Sequence, residues 1–102
     1  MNHLRLQVLK DPNSGGWIDL EELLTRDALF NDERREQQAY AQAWVLVYEH
    51  MKNNQRATRL RAYLERLRTR RDGKNRVADA KAALGDLKKL DRDLKKAARL
   101  LL

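Results

Sequence analysis

Two histidines, His3 and His50, are the residues that could most readily bind a catalytic metal ion. A helical zinc protease places two histidines one turn apart, with a glutamate beside the first as general base. Glu49 does precede His50, but residues 51–54 contain no second histidine. The spacing therefore predicts no metal site, and we expect His50 to be a partly exposed side chain near the end of a helix.

The other residues of catalytic chemistry are just as sparse. The chain has no cysteine, and its one serine, Ser14, lies in a turn-forming segment without a nucleophile motif around it. Gly15 and Gly16 stand alone and do not form a phosphate-binding loop. Acidic pairs such as Glu21 and Glu22 are typical of helix starts and solvated surfaces. The sequence predicts a non-enzyme without a cofactor.

Arginine is concentrated in one segment, and this cluster is the strongest functional signal. With Leu60 at zero on a helical wheel, Arg59 lies near −100° and Arg61 near +100°, at about 100° per residue. Both flanks of an apolar stripe are therefore basic. One interpretation is a helix that contacts phosphates, and the other is a solvated helix whose arginines pair with acids or an acidic partner. The arginines are Arg56, Arg59, Arg61, Arg66, Arg68, Arg70 and Arg71.

The net charge of +7 is divided unevenly along the 102 residues. Residues 1–50 contain 5 Lys or Arg and 9 Asp or Glu, a net charge of −4. Residues 51–102 contain 17 and 6, a net charge of +11. The division favours internal charge complementarity and an acidic partner over a uniform nucleic-acid surface.

Four glycines and one proline in the whole chain predict long helices with few interruptions. We expect an all-α fold, a compact irregular bundle of four or five helices in a single domain. The loops are predicted near 11–16 and 72–75. No apolar run approaches the ~20 residues of a membrane span, and no signal peptide is expected at the start. The predicted helices cover about 3–10, 19–24, 33–53, 56–70, 76–84 and 87–101.

Apolar spacing predicts which face each helix buries. The 33–53 helix is expected to be central, with the 56–70 and 87–101 helices packed on one face of it. That face carries Tyr40, Trp44, Val47, Tyr48 and Met51. We expect Asp91 to pair with Lys95 one turn later, and Asp19, Asp86 and Gly85 to cap helices. The other predicted stripes are Leu60, Tyr63, Leu64 and Leu67, and then Leu87, Leu90, Leu94, Ala97 or Ala98, and Leu101.

Several blocks resemble a planctomycete-type bacterial family of unknown function, which is itself similar to gluzincin metallopeptidases of the peptidase MA-like kind. The most specific block is Tyr40-Ala-Gln42-Ala-Trp44, preceded by Trp17-x-x-Leu20-x-x-Leu-Leu and followed by Leu60-x-x-Tyr-Leu-x-x-Leu and Ala83-Leu-Gly-Asp-Leu-x-x-Leu. The resemblance covers about residues 17–95. The H-E-x-x-H helix and the W-x-x-E-G segment of that family are both missing here. The resemblance therefore implies that this chain corresponds to the helical region that follows the zinc site.

The resemblance implies a non-catalytic helical module that would be a fragment of a larger protein. Its partner would be the missing N-terminal catalytic-like part or an acidic protein. Tyr40, Gln42 and Trp44 would form the family-like structural motif, with Trp44 packed in the bundle. The alternatives are a nucleic-acid-binding module that uses the Arg-rich 56–71 segment, and a protein-interaction module for an acidic partner.

Overall fold

The computed structural model describes residues 7–9, 16–69 and 75–101. The described residues contain no strand, which confirms the all-α prediction. The predicted loop positions 11–15 and 72–74, and most of the predicted 3–10 helix, lie outside the described residues. The elements are α1 (Leu20–Thr25), a 3₁₀ turn (Asp27–Phe30), α2 (Glu36–His50), α3 (Asn54–Thr69), α4 (Arg76–Leu84) and α5 (Leu87–Leu101).

Helix α2 lies at the centre of a bundle that measures 35 × 30 × 21 Å. It contacts α3, α5 and the 3₁₀ turn, while α4 packs on α1 and α3. Among the described residues, no helix is long and apolar enough to cross a membrane. The core takes side chains from every element, among them Leu20, Leu23, Leu29, Val45, Leu46, Tyr63, Leu84, Leu87 and Leu94.

The α4–α5 junction has the caps that the sequence predicts. Gly85 has φ +90°, and its N–H donates to the carbonyl of Lys81 at 2.9 Å, which ends α4. One carboxylate oxygen of Asp86 accepts from the N–H groups of Lys88 and Lys89 at 3.0 and 3.3 Å, which begins α5. Asp19 holds the corresponding position before α1, but its side chain makes no capping hydrogen bond.

Helix α2 is shorter at both ends than the predicted 33–53 segment. It begins at Glu36 because the carbonyl of Asp32 accepts from the N–H groups of Arg35 and Glu36, and residues 33–35 form a turn. It ends at His50, and the side chain of Asn53 then accepts from the N–H of Arg56 at 2.8 Å, at the start of α3. Asn53 therefore caps the next helix across a short turn.

The predicted buried face of α2 is wrong. Tyr40, Val47 and Met51 are 45, 46 and 60% exposed, and Trp44 and Tyr48 are half-buried. We call these five residues the aromatic face. The opposite side of the helix is buried instead, and it consists of Gln38, Ala39, Ala41, Gln42, Val45, Leu46, Glu49 and His50.

Hydrogen bonds explain why a face with two glutamines is buried. The side-chain oxygen of Gln42 accepts from the N–H of Ile18 at 2.7 Å, and its nitrogen donates to the Ile18 carbonyl at 2.8 Å. Gln38 donates to the same Gln42 oxygen at 2.6 Å. These bonds compensate the desolvation of the amides, and Ala39 and Ala41 leave room for neighbouring elements to approach.

The segment before α1 is also attached to α5, through Asp91. One oxygen of Asp91 accepts from the indole Nε1 of Trp17 at 2.9 Å and from the N–H of Leu20 at 3.0 Å. The predicted Asp91–Lys95 pair is therefore wrong, because the carboxylate is used to bind the chain that precedes α1. A charge-assisted bond to an otherwise orphan N–H at a helix start is stronger than an exposed ion pair.

The stripe predicted on α5 is confirmed, and the one on α3 is confirmed in part. Leu87, Leu94 and Ala98 are buried on α5, as are Leu60 and Tyr63 on α3. Leu64 was expected in the α3 stripe but is 51% exposed. Ala57 occupies the core instead, because it continues the buried side of α3 toward the turn after α2.

Candidate binding groove

The arginines of α3 fall into two groups. At the end of the helix, Arg66 contacts Asp79 of α4 at 3.3 Å and Arg68 contacts Glu65 of its own helix at 2.7 Å. Both acids belong to the second half of the chain, so these two pairs do not link the basic half to the acidic half. Arg70 and Arg71 lie outside the described residues.

At the beginning of α3, three arginines are exposed to solvent. Arg56 lies 3.8 Å from Glu49, a weak contact with the acidic half of the chain. Arg59 and Arg61 form no ion pair within the described part of the chain. Arg56 and Arg59, one turn apart, line a groove, whereas Arg61 lies on the other flank of the helix. The structure therefore separates the five described arginines of the predicted cluster instead of joining them into one surface.

The groove lies between the end of α2, the beginning of α3 and the length of α5, and has a volume of about 550 Å³. Its floor is apolar, with Leu84 and Leu94 buried, Leu90 and Ala97 half-buried, and Leu100 80% exposed. The cations that line it come from two helices and are Arg56, Arg59, Lys89 and Lys96.

Three acids also line the groove, and two of them are engaged. Glu49 is buried and lies 2.9 Å from Lys52, and Asp86 caps α5. Asp93 is exposed between the basic residues of α5. Because Glu49 and Asp86 are used within the fold, the charge available to a ligand is predominantly positive, from Arg59, Lys89 and Lys96.

His50 lies at the wall of the groove and is buried, in contrast to the partly exposed position predicted for it. Its Nδ1 lies 2.8 Å from the carbonyl of Leu46, one turn earlier, which requires the proton on Nδ1. The surrounding α3 and α5 cover it because it occupies the buried side of α2. Within the described ranges, no group of three or more His, Cys, Asp or Glu residues could hold a metal ion.

A second polar cluster joins α3, α4 and the 3₁₀ turn. Arg76 contacts Asp27 at 2.5 Å across 49 positions of sequence, and this hydrogen bond raises the pKa of Arg76. Buried Tyr63 lies in the field of Arg76, Asp27 and Asp79. Desolvation raises the pKa of its phenol, and the positive charge of Arg76 opposes this in part. The cluster connects α3, α4 and the 3₁₀ turn.

The three residues of the predicted structural motif have different positions. Gln42 is buried and binds Ile18, which makes it the most important of the three for the fold. Trp44 packs at the edge of the core and stacks on Tyr48, with 5.0 Å between the ring centroids. Tyr40 meets the ring of Phe30 edge-on, also at 5.0 Å.

Sequence reasoning did not identify Lys89 and Lys96 as partners of Arg56 and Arg59. Their spacing was the available signal. Lys89 and Lys96 are seven residues apart and Arg56 and Arg59 are three apart, so each pair lies on one side of its helix. What the sequence lacked was the packing angle that brings those two sides together. Comparisons with protein families, curated proteins and solved structures found no match for this chain.

Proposed function

We propose that the chain is a non-catalytic protein-interaction module that binds an acidic amphipathic helix of its partner in the groove between α2, α3 and α5. The observation that carries the proposal is the combination of an apolar floor with Arg59, Lys89 and Lys96, which form no ion pair within the described ranges. A helix that enters such a groove buries one apolar face and directs its carboxylates toward the rim.

The lining of the groove favours a peptide over a nucleic acid. A phosphate backbone carries negative charge at every step and would meet the exposed carboxylate of Asp93. An amphipathic helix, in contrast, can carry carboxylates at the positions that face the cations and none at the position that faces Asp93. It also covers Leu90 and Leu100, for which phosphates and sugars have no counterpart.

The proposal is compatible with the family resemblance of the sequence. If this region follows a zincin-like part, as that resemblance implies, the acidic helix would belong to that part. The module would then support or cover its cleft. An acidic helix of a separate protein would use the same groove.

The experiment is a binding titration with a labelled peptide that has Leu at i, i+3, i+4 and i+7 and Glu at the flanking positions. A peptide of the same composition in scrambled order has the same charge but no apolar face. We expect the patterned peptide to bind and the scrambled peptide to bind at least about tenfold more weakly. Equal binding of both peptides would contradict the proposal.

A pair of charge-reversal variants locates the site. Arg59→Glu with Lys96→Glu removes two cations from the groove and should weaken peptide binding about tenfold. Arg61→Glu with Lys95→Glu makes the same change of charge outside the groove and should have little effect. If duplex DNA binds instead and both variants weaken it alike, the nucleic-acid alternative is correct.

A further inference from the structure

The aromatic face of α2 is a second surface, separate from the groove. Its five residues recur at spacings of 4, 3, 1 and 3, so they fall within an arc of about 100° and extend about 17 Å along the helix. Among the described residues, five large apolar side chains are exposed, and three of them, Tyr40, Val47 and Met51, belong to this face. Trp44 and Tyr48 beside them are partly exposed.

The rings on this face are held in place by one another. Trp44 and Tyr48 stack with an interplanar angle of 20°, and the ammonium of Lys52 lies 5.2 Å from the centre of the Tyr48 ring. Phe30 extends the surface beyond the start of the helix through its edge contact with Tyr40. Such a preorganised apolar surface loses little conformational entropy when another surface covers it.

The charges at the two ends of α2 are opposite. Asp32, Glu33 and Glu36 lie at its beginning, with Arg34 as an exposed cation among them, and Arg35 donates to the carbonyl of Gly16. The turn after α2 carries Lys52, an exposed cation at the opposite end. The spacing of the aromatic face is that of a helix–helix seam, so an identical helix in the opposite direction fits it.

We propose that two copies of this chain associate through their aromatic faces, with their α2 helices antiparallel about a twofold axis. An axis that passes between Trp44 and Val47 places Tyr40 of one copy opposite Met51 of the other. It also places the acidic beginning of each α2 beside Lys52 of the other copy, twice in the dimer. A parallel arrangement would bring like charges together and align the two helix dipoles side by side, which is unfavourable.

Sedimentation equilibrium of the full chain over a concentration series tests the association. We expect the mass to approach twice the 12.0 kDa of the chain as concentration rises, and the dimer to weaken at high salt. Val47→Glu should raise the dimer dissociation constant at least about tenfold, whereas Leu64→Glu, on α3 and similarly exposed, should leave it unchanged. Circular dichroism of both variants checks that they fold.

Cross-linking tests the orientation, because the chain has no cysteine and each introduced one reports a single position. Val47→Cys lies near the proposed axis and should form a disulfide with its own copy. Met51→Cys should not, but a mixture of Met51→Cys and Tyr40→Cys chains should cross-link. Self-cross-linking at both positions 40 and 51 would instead indicate a parallel pair and overturn the antiparallel arrangement.

The results of these experiments distinguish the dimer proposal from the proposal that the groove binds a peptide. A monomer at every concentration would overturn the dimer but leave peptide binding intact. A dimer that survives Val47→Glu and is lost with Arg59→Glu would place the contact at the groove and overturn the assignment to the aromatic face. If the chain stays monomeric and binds a different protein through the aromatic face, the proposal that a second copy covers this face is wrong.

Discussion

The side-chain amide of Gln42 takes the place of a backbone amide. It accepts from the N–H of Ile18 and donates to the Ile18 carbonyl, as a neighbouring strand would. Residues 16–19 have no regular structure of their own. Their buried polar groups would otherwise be unsatisfied, which costs about 1–3 kcal/mol for each group. One side chain therefore determines which side of α2 can be buried.

Replacing Gln42 with Ala should lower the free energy of unfolding by about 2–4 kcal/mol, because Ile18 loses both partners and Gln38 loses its acceptor. Urea unfolding followed by circular dichroism measures the change. Gln37→Ala, at an exposed position of the same helix, is the matched control and should change stability by less than about 0.5 kcal/mol. A similar loss in both variants would show that the Ile18 contact is not critical.

Tyr63 makes stability depend on pH in the alkaline range. Burial raises the pKa of its phenol above 10.0 in the folded chain, so the folded state holds the proton more tightly than the unfolded state does. The stabilisation is complete below pH 10 and is lost as pH rises through the folded pKa. We expect a fall in the urea midpoint above that pH that is smaller in Tyr63→Phe, with Tyr40→Phe as control. Identical pH profiles for wild type and Tyr63→Phe would contradict this expectation.

At the scale of elements, amphipathic sequence predicted some helices well. Helices α4 and α5 have the predicted bounds, and Leu84, Leu87 and Leu94 are buried, because each helix has one apolar side and strong terminal signals at Gly85 and Asp86. The buried side of α2 was predicted wrongly because the residues on either side of this helix are suited to packing against a neighbour. One side has aromatic residues, and the other has small and amide residues whose partners at Ile18 lie far away in sequence.

The candidate site, like the helices, could be predicted from the sequence only in part. The exposed arginines of α3 were predictable from composition and a helical wheel. The groove was not, because Arg59, Lys89 and Lys96 meet only through the packing of α3 and α5 at the end of α2. Non-local geometry of this kind leaves no periodic signal in a single sequence.

Gly85 separates α4 from α5 with φ +90° and ψ −148°, a region that side chains rarely adopt. A methyl group there would meet no atom within 4 Å, so the penalty of substitution is purely that of the backbone. Gly85→Ala should lower the free energy of unfolding by about 1–3 kcal/mol. Gly85→Asn should lower it about as much, because this backbone region is not the left-handed helical one that asparagine tolerates. Thermal unfolding measures both, and rescue by asparagine would contradict the argument.

At the scale of the whole molecule, the charge division is only partly neutralised within the fold. In the described ranges, the ion pairs between the two halves involve Asp27 with Arg76, and Glu49 with Lys52 and Arg56. Most cations of α3 and α5 remain on the surface, several around one groove. The folded chain therefore concentrates like charges that an extended chain would separate.

Salt should consequently stabilise the chain. We expect the melting temperature to rise by a few degrees between about 10 and 300 mM NaCl, as screening reduces repulsion around the groove. Lys96→Glu should reduce this dependence on salt, because it removes one of the facing cations, and Lys95→Glu should reduce it less. A melting temperature that falls with salt would indicate that attractive pairs dominate.

The segment before α1 also offers a way to observe how the bundle opens. The amide proton of Ile18 is bound by Gln42 of α2, and that of Leu20 by Asp91 of α5. Hydrogen exchange at these two amides therefore reports separately on two docking contacts of one short segment. Different exchange rates would reveal which helix releases the segment first, and equal rates would show that α2 and α5 separate from it in a single cooperative step.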